Sequence, residues 1–397
     1  MRTIAAACIA TLGLSGCAPT VTQGPADIAG LHRDLLVLDT HLDTPINFGR
    51  AGWDFSARHD VASEIAQVDL GRMAEGHLDG GFFVIYTEQG ELTPAGYREA
   101  LAFARERSDM IDREIGGHPE MIRFARSADE VEALAAADKL IALKAIENSY
   151  PLGEDLSLLR EFYDRGVRMA GPVHSGTNQF ADAAGGEARW NGLSPLGRAW
   201  VAEMNRLGMV IDASHSSDAA FDEMVALSKT PLVLSHSSPR AAFDHPRNLD
   251  DARIRRLAES GGAMCMSTVF LSTMNMTEER GLLFGRYEGV ADLSVAEQQE
   301  LSRQWRALDK TEPMWATSFE QYMDALLQLI EVAGVDHVCF GADWDGGGGI
   351  QGLEDITALP VVTQRLLQAG YSRRDIEKMT SGNVLRLMRA AEAAREL

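Results

Sequence analysis

Histidine and carboxylate side chains recur in this sequence at one kind of place, the end of an apolar run. The first case is VLDTHLDTP, Val37 to Pro45. If the run is a β-strand, residues two apart face the same side, which puts Asp39, His41 and Asp43 on one face. Ionisable groups crowded on a buried face are costly unless something pairs them, and a cation would do that. The pattern returns along the chain. Glu147 ends KLIALKAIE, His174 ends VRMAGPVH, His215 ends GMVIDASH, His236 falls in PLVLSHSS, and Asp343 and Asp345 close DHVCFGADWD. Imidazole and carboxylate together are ligands for zinc and similar divalent ions. A lone His-x-Asp carries little weight, and a lone strand-end His is more often a hydrogen-bonded core residue. Strand-end His and acids gathered at the same end of many runs are much harder to reach by accident. Asp39 would lie nearer the floor of the fold, in a supporting role.

The elements that must position these residues are eight short apolar runs, at 35–43, 80–87, 139–147, 167–174, 208–215, 231–238, 261–268 and 336–345. Helix-like stretches lie between most of them, among them PAGYREALAFARERSDMIDREI, DLSLLREFYDRG, SPLGRAWVAEMNRLG and SFEQYMDALLQLIEVAG. Several open with Ser or Asp and close with Gly, as helix caps do. Strands alternating with helices predict an α/β fold of parallel βα units, closed as a (β/α)8 TIM-type barrel. A doubly wound sheet is the runner-up, but it does not need eight units. In a barrel the C-terminal strand ends converge on one mouth, so residues three hundred positions apart gather in one site. One segment breaks the rhythm: a long loop insertion, 269–335, lies between strands 7 and 8 on the mouth side, where such loops serve as lids or oligomer contacts.

Bulk properties bound the partners. The chain has 397 residues, 45% of them hydrophobic, and a formal net charge of -21, which argues against nucleic acid. The N-terminus carries one Arg, an apolar run from Ile4 to Leu14 and then small residues, a secretion signal too short to span a membrane. LSGC, Leu14 to Cys17, resembles the lipobox of bacterial lipoproteins, which implies cleavage before Cys17, lipid on that residue and a membrane-anchored protein of the cell envelope, facing the periplasm or the exterior. The expected organisation is a signal peptide over 1–16, a tether over 17–30 and one barrel domain over 31–397. Cys265 and Cys339 sit in strand-like runs and read more readily as buried free thiols than as a bridge between neighbouring strands, which stays open.

At this point the residues carry a family resemblance. DTHLDTP, AIE at 145–147, GPVHSGTNQFADAAGG, DASHSS, LSHSSPRAAFDHPRNLDD, GADWDG and SGNVLR resemble, in order and spacing, the membrane dipeptidase (renal dipeptidase) family of the amidohydrolase superfamily. They run from about residue 35 to 386. The resemblance implies two Zn2+ per chain, with His41 and Asp43 on one, His215 and His236 on the other and Glu147 bridging both. Lys144 would face away from Glu147 on the same strand, consistent with Glu rather than a modified Lys as the bridge. It also implies that His174 contacts the reacting oxygen, that Arg247 binds the substrate carboxylate, that Asp343 handles the proton, and that the protein is a homodimer. Asn148 and Ser149 stand where the family often has two glycines, which puts pocket shape in doubt.

The implied activity is hydrolysis of small dipeptides, L,L and in some cases L,D, by a metal-bridging hydroxide that two cations make available near pH 7. Arg247 would measure length: a free carboxylate close to the scissile bond selects a dipeptide. Two alternatives stand beside it. One is a related amidohydrolase acting on a lactone, N-acyl amide or phosphoester, against which the Arg247 anchor argues. The other is a non-catalytic envelope lipoprotein, against which the intact ligand positions argue. His32, His59, His77, His118, His245 and His337 receive no catalytic role. Gly346 to Gly349 lacks the Lys and helix of a phosphate loop and reads as a turn at the mouth. Asn383 is expected to start the last helix near the first strand.

Overall fold

In the computed structural model, which describes residues 30–396, every one of the eight apolar runs contains a strand. The signal sequence, Cys8, Cys17 and most of the tether lie outside the described residues. The strands pair in parallel in the order β1 (Leu38–Leu42), β2 (Gly80–Ile85), β4 (Leu140–Ile146), β5 (Val167–Ala170), β6 (Val210–Ile211), and separately β7 (Val233–Ser237), β8 (Ala263–Met266), β9 (Val338–Phe340). Two single bridges join these groups into a ring, Asp212 with Val233 and Leu42 with Trp344. At the second, the Asp43 N–H donates to the Trp344 carbonyl at 2.9 Å. This is the expected (β/α)8 barrel.

One strand was not expected. β3 (Ile122–Phe124) pairs with the first half of β4, below the point where β5 begins to pair at Lys144. Its sequence, IRF, is too short to show a period. Several barrel helices end where their caps indicate. Ser194 accepts from the Gly197 N–H to open Pro195–Leu207, and Gly208 closes it at φ 73°, a conformation that favours glycine.

The barrel interior below the ligands is apolar. Ile141, Leu143 and Ala145 share the parity of Glu147 and join Leu38, Phe82, Met169, Val210 and Val233 in one buried cluster. The terminal helix Asn383–Ala393 closes this floor with Val384, Leu385, Leu387, Met388 and Ala391. Asn383 starts that helix, but its amide donates to the Val335 and Val338 carbonyls, both at 2.8 Å. It therefore serves the last strand and not the first. Cys265 and Cys339 are in-register partners on β8 and β9 and form a disulfide within the same cluster, which overturns the free-thiol expectation. Adjacent parallel strands set the two Cβ atoms side by side, a relation that strand pairing alone reveals.

The insertion is not a loop. Between β8 and β9 it folds into the helices Glu278–Glu288 and Val295–Asp309, ahead of the barrel helix Phe319–Ala333. The first two pack on the segment that follows β1. Arg50 Nε donates to Gln298 at 3.1 Å and Arg306 Nε to the Glu64 carbonyl at 3.0 Å. The buried Tyr287 hydroxyl donates to the Asp345 carbonyl at 3.2 Å. None of the described helices is long and apolar enough to cross a membrane.

Candidate active site

Two of the ligand-bearing strands break their register just where the ligands sit. Pairing shifts between Asp39 and Leu42 on β1 and between Leu234 and Ser237 on β7, each of which carries an extra residue there, and β5 carries one opposite Lys144 and Ala145 of β4. Such irregularities re-aim side chains that regular alternation would place elsewhere. Here they turn His41 and His236 toward the point that Glu147 reaches by the regular alternation of β4, which pairs with β2 in unbroken register. His174 and His215 lie beyond the ends of β5 and β6, in the loops that follow.

Glu147 is the centre. Its Oε1 lies 3.0 Å from His215 Nε2, 3.5 Å from His236 Nε2, 3.6 Å from His41 Nε2 and 3.8 Å from His174 Nε2. His41 Nε2 is 3.2 Å from Asp43 Oδ2, and the Nε2 atoms of His215 and His236 are 2.8 Å apart. Among the described residues three groups can each hold a metal ion: His41, Asp43 and Glu147; Glu147, His215 and His236; and His41, His236 and Asp343. The first two share Glu147, which gives two adjoining positions with one common carboxylate. The donor set fits divalent cations, because nitrogen and carboxylate ligands converge from several strands on a small volume. His41 Nε2 is buried and makes no hydrogen bond, although two carboxylates face it. Such an orphaned atom needs a partner.

The surroundings keep the cluster tight. Gly346 faces the two acids: a Cβ there would come within 2.1 Å of Asp43 Oδ2 and 2.4 Å of Asp343 Oδ1. The glycine run at 346–349 therefore includes a packing requirement at the mouth, beyond the turn expected of it. His215, Asp343 and Asp345 adopt left-handed backbone, at φ 64°, 66° and 67°, which costs on the order of 1 kcal/mol or more for each non-glycine residue. Asp39 accepts from the backbone N–H groups of His41 at 2.8 Å and Ala342 at 3.1 Å. It stays outside the cluster and ties β1 to the end of β9. Asp345 likewise turns away, accepting from Thr44 at 2.9 Å and from the Gln67 N–H at 2.7 Å.

Electrostatics follows from burial and proximity. Burial and the nearby Arg247 guanidinium push the His215 imidazole well below its ordinary range, and burial with His41 does the same to His236. A neutral imidazole is the form that binds a metal. Burial works against charge on His41, yet Asp43 and Glu147 hold it well above the usual range, so its proton offsets the same carboxylates that a cation would. Burial, with Asp43 and Glu147, raises Asp343. Burial pushes Arg247 down to about 10. Arg247 donates to Ser237 Oγ at 2.6 Å and to the His236 carbonyl at 2.7 Å, both neutral acceptors, while its Nε has no partner. The guanidinium is thus buried beside the cluster with donors to spare.

His174 is half-buried, with its ring edge-on to Tyr86 at 5.0 Å and 4.3 Å from the His215 ring. Lys144 points outward and pairs with Asp112 at 2.6 Å. Asn148 and Ser149 are fully buried. Asn148 donates to the Thr87 carbonyl at 3.3 Å and accepts from Asn178 at 3.2 Å, and Ser149 donates to the Gly171 carbonyl at 2.8 Å. They fasten neighbouring loops and do not line the pocket. Three residues escaped the sequence reading: Tyr86, Asp212 and Ser235. Tyr86 ends an apolar run and so had a signal. Asp212 and Ser235 stand inside DASH and LSHS, one or three places from a noted His.

Comparison with known proteins agrees with this geometry. The family model described as membrane dipeptidase (peptidase family M19) matches residues 26–397. The chain is similar to dipeptidase tcpJ of Claviceps purpurea, with 30% identity over 377 residues, 93% of this chain and 79% of that protein. It is similar to dipeptidase aclJ of Aspergillus oryzae, with 31% identity over 328 residues, 81% of this chain and 69% of that protein. Among solved structures, the probable dipeptidase PvdM from Pseudomonas aeruginosa superposes with a TM-score of 0.79 at 27% identity, covering 94% of this chain and all of that one (100%).

Proposed function

This chain belongs to the membrane dipeptidase family of metallopeptidases, hydrolases acting on peptide bonds, and from that premise we propose that it is a two-zinc dipeptidase of the bacterial cell envelope. One observation carries the reading: two three-residue ligand groups share Glu147 beside a buried guanidinium that keeps an unpartnered donor. His41 and Asp43 would hold one Zn2+, His215 and His236 the other, with Glu147 between them. When bound, such a pair supplies Lewis-acid polarisation of a carbonyl and a water acidic enough to ionise near neutral pH.

The chain's own residues do the rest. Arg247 presents a planar fork to the free α-carboxylate of a dipeptide. That contact fixes the distance from the C-terminus to the scissile carbonyl and so excludes long peptides. His174 reaches the carbonyl oxygen from the open side of the pocket. Asp343, raised by burial and by its acidic neighbours, takes a proton from the attacking water and delivers it to the amine nitrogen as the C–N bond breaks. The barrel floor's buried disulfide supports an oxidising compartment, consistent with a lipid anchor at Cys17. A homodimer completes the reading.

The test joins two assays on one sample: zinc per chain, then hydrolysis of L,L- and L,D-dipeptides with and without chelator. The expected result is two zinc ions and chelator-sensitive cleavage. Two metals without dipeptide cleavage would transfer the site to a non-peptide amidohydrolase reaction. No metal would end the proposal.

A further inference from the structure

Beneath the cluster, one buried hydroxyl reaches two of the candidate ligands at their far nitrogens. Ser235 Oγ lies 2.8 Å from His236 Nδ1 and 3.4 Å from His41 Nδ1. The same oxygen is 2.5 Å from Asp212 Oδ2. Asp212 Oδ1 accepts from the backbone N–H groups of Ser214 at 2.9 Å and Ser235 at 3.0 Å. Both Asp212 and Ser235 are buried. The backbone of Ser235 is gripped as well. Its carbonyl accepts from Thr40 Oγ1 at 2.5 Å, and a Cβ on Gly341 would come within 1.8 Å of that oxygen. The backbone that carries the hydroxyl is thus fixed from two sides.

Hydrogen-bond bookkeeping then decides the tautomers. A carboxylate accepts only, so the single hydroxyl proton of Ser235 goes to Asp212. Ser235 has lone pairs left, and an imidazole nitrogen that faces them must carry a proton. In the neutral imidazole, the form that binds a metal, a proton on Nδ1 leaves Nε2 bare. Nε2 is the nitrogen that faces Glu147, at 3.5 Å in His236 and 3.6 Å in His41.

We propose that Asp212 and Ser235 are positioning residues for the metal centre, and that this one carboxylate–hydroxyl pair orients ligands of both metal positions. It acts on His236 through the short contact and on His41 through the longer one. The inference rests on the two-metal reading given above. His215 is the contrast. Its hold comes from the backbone, with φ 64° and its carbonyl accepting the Ala184 N–H at 2.7 Å. Two positions that already share Glu147 also share a support for their histidines, as outer hydrogen bonds to ligating histidines commonly provide.

Asp212→Asn reverses the pair. The two backbone N–H groups keep the amide oxygen, so the amide NH2 must face Ser235. The hydroxyl proton then turns to His236 Nδ1, at 2.8 Å a nearer acceptor than Ser214 Oγ at 3.4 Å, and the His236 proton moves to Nε2, where it blocks ligation. Ser235→Ala removes the constraint without reversing it. The experiment strips the full chain of metal and titrates Zn2+ against a chromophoric competitor. Nitrogen-15 NMR of the metal-free protein reads the His236 tautomer, and circular dichroism confirms the fold. Wild type should bind two zinc ions with His236 protonated at Nδ1. Ser235→Ala should lose about ten- to a hundredfold in affinity at both positions. Asp212→Asn should lose more and move the His236 proton to Nε2. Folded variants that bind zinc as wild type does, or an unchanged tautomer in Asp212→Asn, would overturn the proposal. If Asp212→Asn fails to fold, Ser235→Ala decides alone: loss at one position only, or at neither, overturns the shared support. Zinc-free wild type would instead overturn the two-metal reading, while the tautomer measurement would still judge the hydrogen-bond relay.

Discussion

The mouth and the floor of this barrel are built on opposite terms. At the mouth, ionisable side chains crowd around Glu147, three residues at the strand ends adopt left-handed backbone, and buried Arg247 has donors without partners. At the floor, apolar side chains from the strands meet a terminal helix across a disulfide. The mouth stores strain and unbalanced charge, and the floor supplies the cohesion that lets it persist. Functional sites are commonly held in this way. The comparison implies that damage should separate: changes at the mouth should remove chemistry and spare the fold, and changes at the floor should do the reverse.

The strongest way to break that separation is Glu147→Gln. It keeps the shape and removes the charge on which four imidazoles converge. Zinc content should fall at both positions and dipeptide hydrolysis should drop to background. The metal-free variant should remain folded, because Glu147 is not part of the apolar cluster that forms the floor. An unfolded metal-free Glu147→Gln would show that mouth and floor are one cooperative unit. The floor counterpart is the double variant Cys265→Ala, Cys339→Ala. The bridge spans 74 residues of sequence, and chain-entropy arguments assign a loop of that size about 4 kcal/mol. Urea unfolding should report a loss of that order, with turnover at 25 °C unchanged. A large loss of activity in a folded variant would mean that the floor tunes the mouth.

The same contrast explains what could be read in the sequence. The floor-to-mouth polarity was legible, because several strands are apolar runs ending in a ligand: His41 after LLVLDT and Glu147 after LIALKAI. Relations between strands were not. The Cys265–Cys339 bridge, the short β3 pairing and the donors of Asn383 depend on register, which no single run encodes. Ser235 was missed for a related reason. Regular alternation puts it opposite His236, and the register shift in β7 is what lets both side chains reach the site. The insertion's helices gave a weak signal because in Val295–Asp309 five of fifteen residues are buried, and although they follow helical spacing two of them, Gln298 and Ser302, are polar.

A finer division lies within the mouth, between binding metal and binding substrate. Arg247→Ala removes a charge that touches Ser237 and the His236 carbonyl but is not among the ligand groups. Hydrogen bonds to a charged group contribute about 1.5–3 kcal/mol, so kcat/KM for a free dipeptide should fall roughly ten- to a hundredfold. Zinc content should hold. An amidated dipeptide, already lacking the carboxylate, should be cleaved equally by wild type and variant. If the variant loses zinc, or if the amide is affected as much as the acid, Arg247 supports the mouth and does not read the substrate.

The smallest effect tests whether the floor has an electrostatic weakness of its own. His32 is buried below the barrel, with Nδ1 2.7 Å from Thr363 Oγ1 and Nε2 3.1 Å from the Gly76 carbonyl. The carbonyl only accepts, so Nε2 carries the proton and Nδ1 accepts from the Thr363 hydroxyl, which suits the neutral ring. Burial pushes this imidazole down from 6.5 to about 4. Its folded value is depressed, so the unfolded chain binds the extra proton first as pH falls. The stability His32 contributes is therefore complete above its unfolded pKa and is lost on acidification from near 6.5 toward 4. By pH 5 the loss should reach about 2 kcal/mol. His32→Gln keeps a donor and an acceptor and cannot titrate. Unfolding free energies at pH 7.5 and pH 5 should differ less in the variant than in wild type by about that amount, with dipeptidase activity at pH 7.5 unaltered. Parallel pH curves would show that the ring is already open to water, and the acid sensitivity of the protein would then have to be sought among the carboxylates of the mouth.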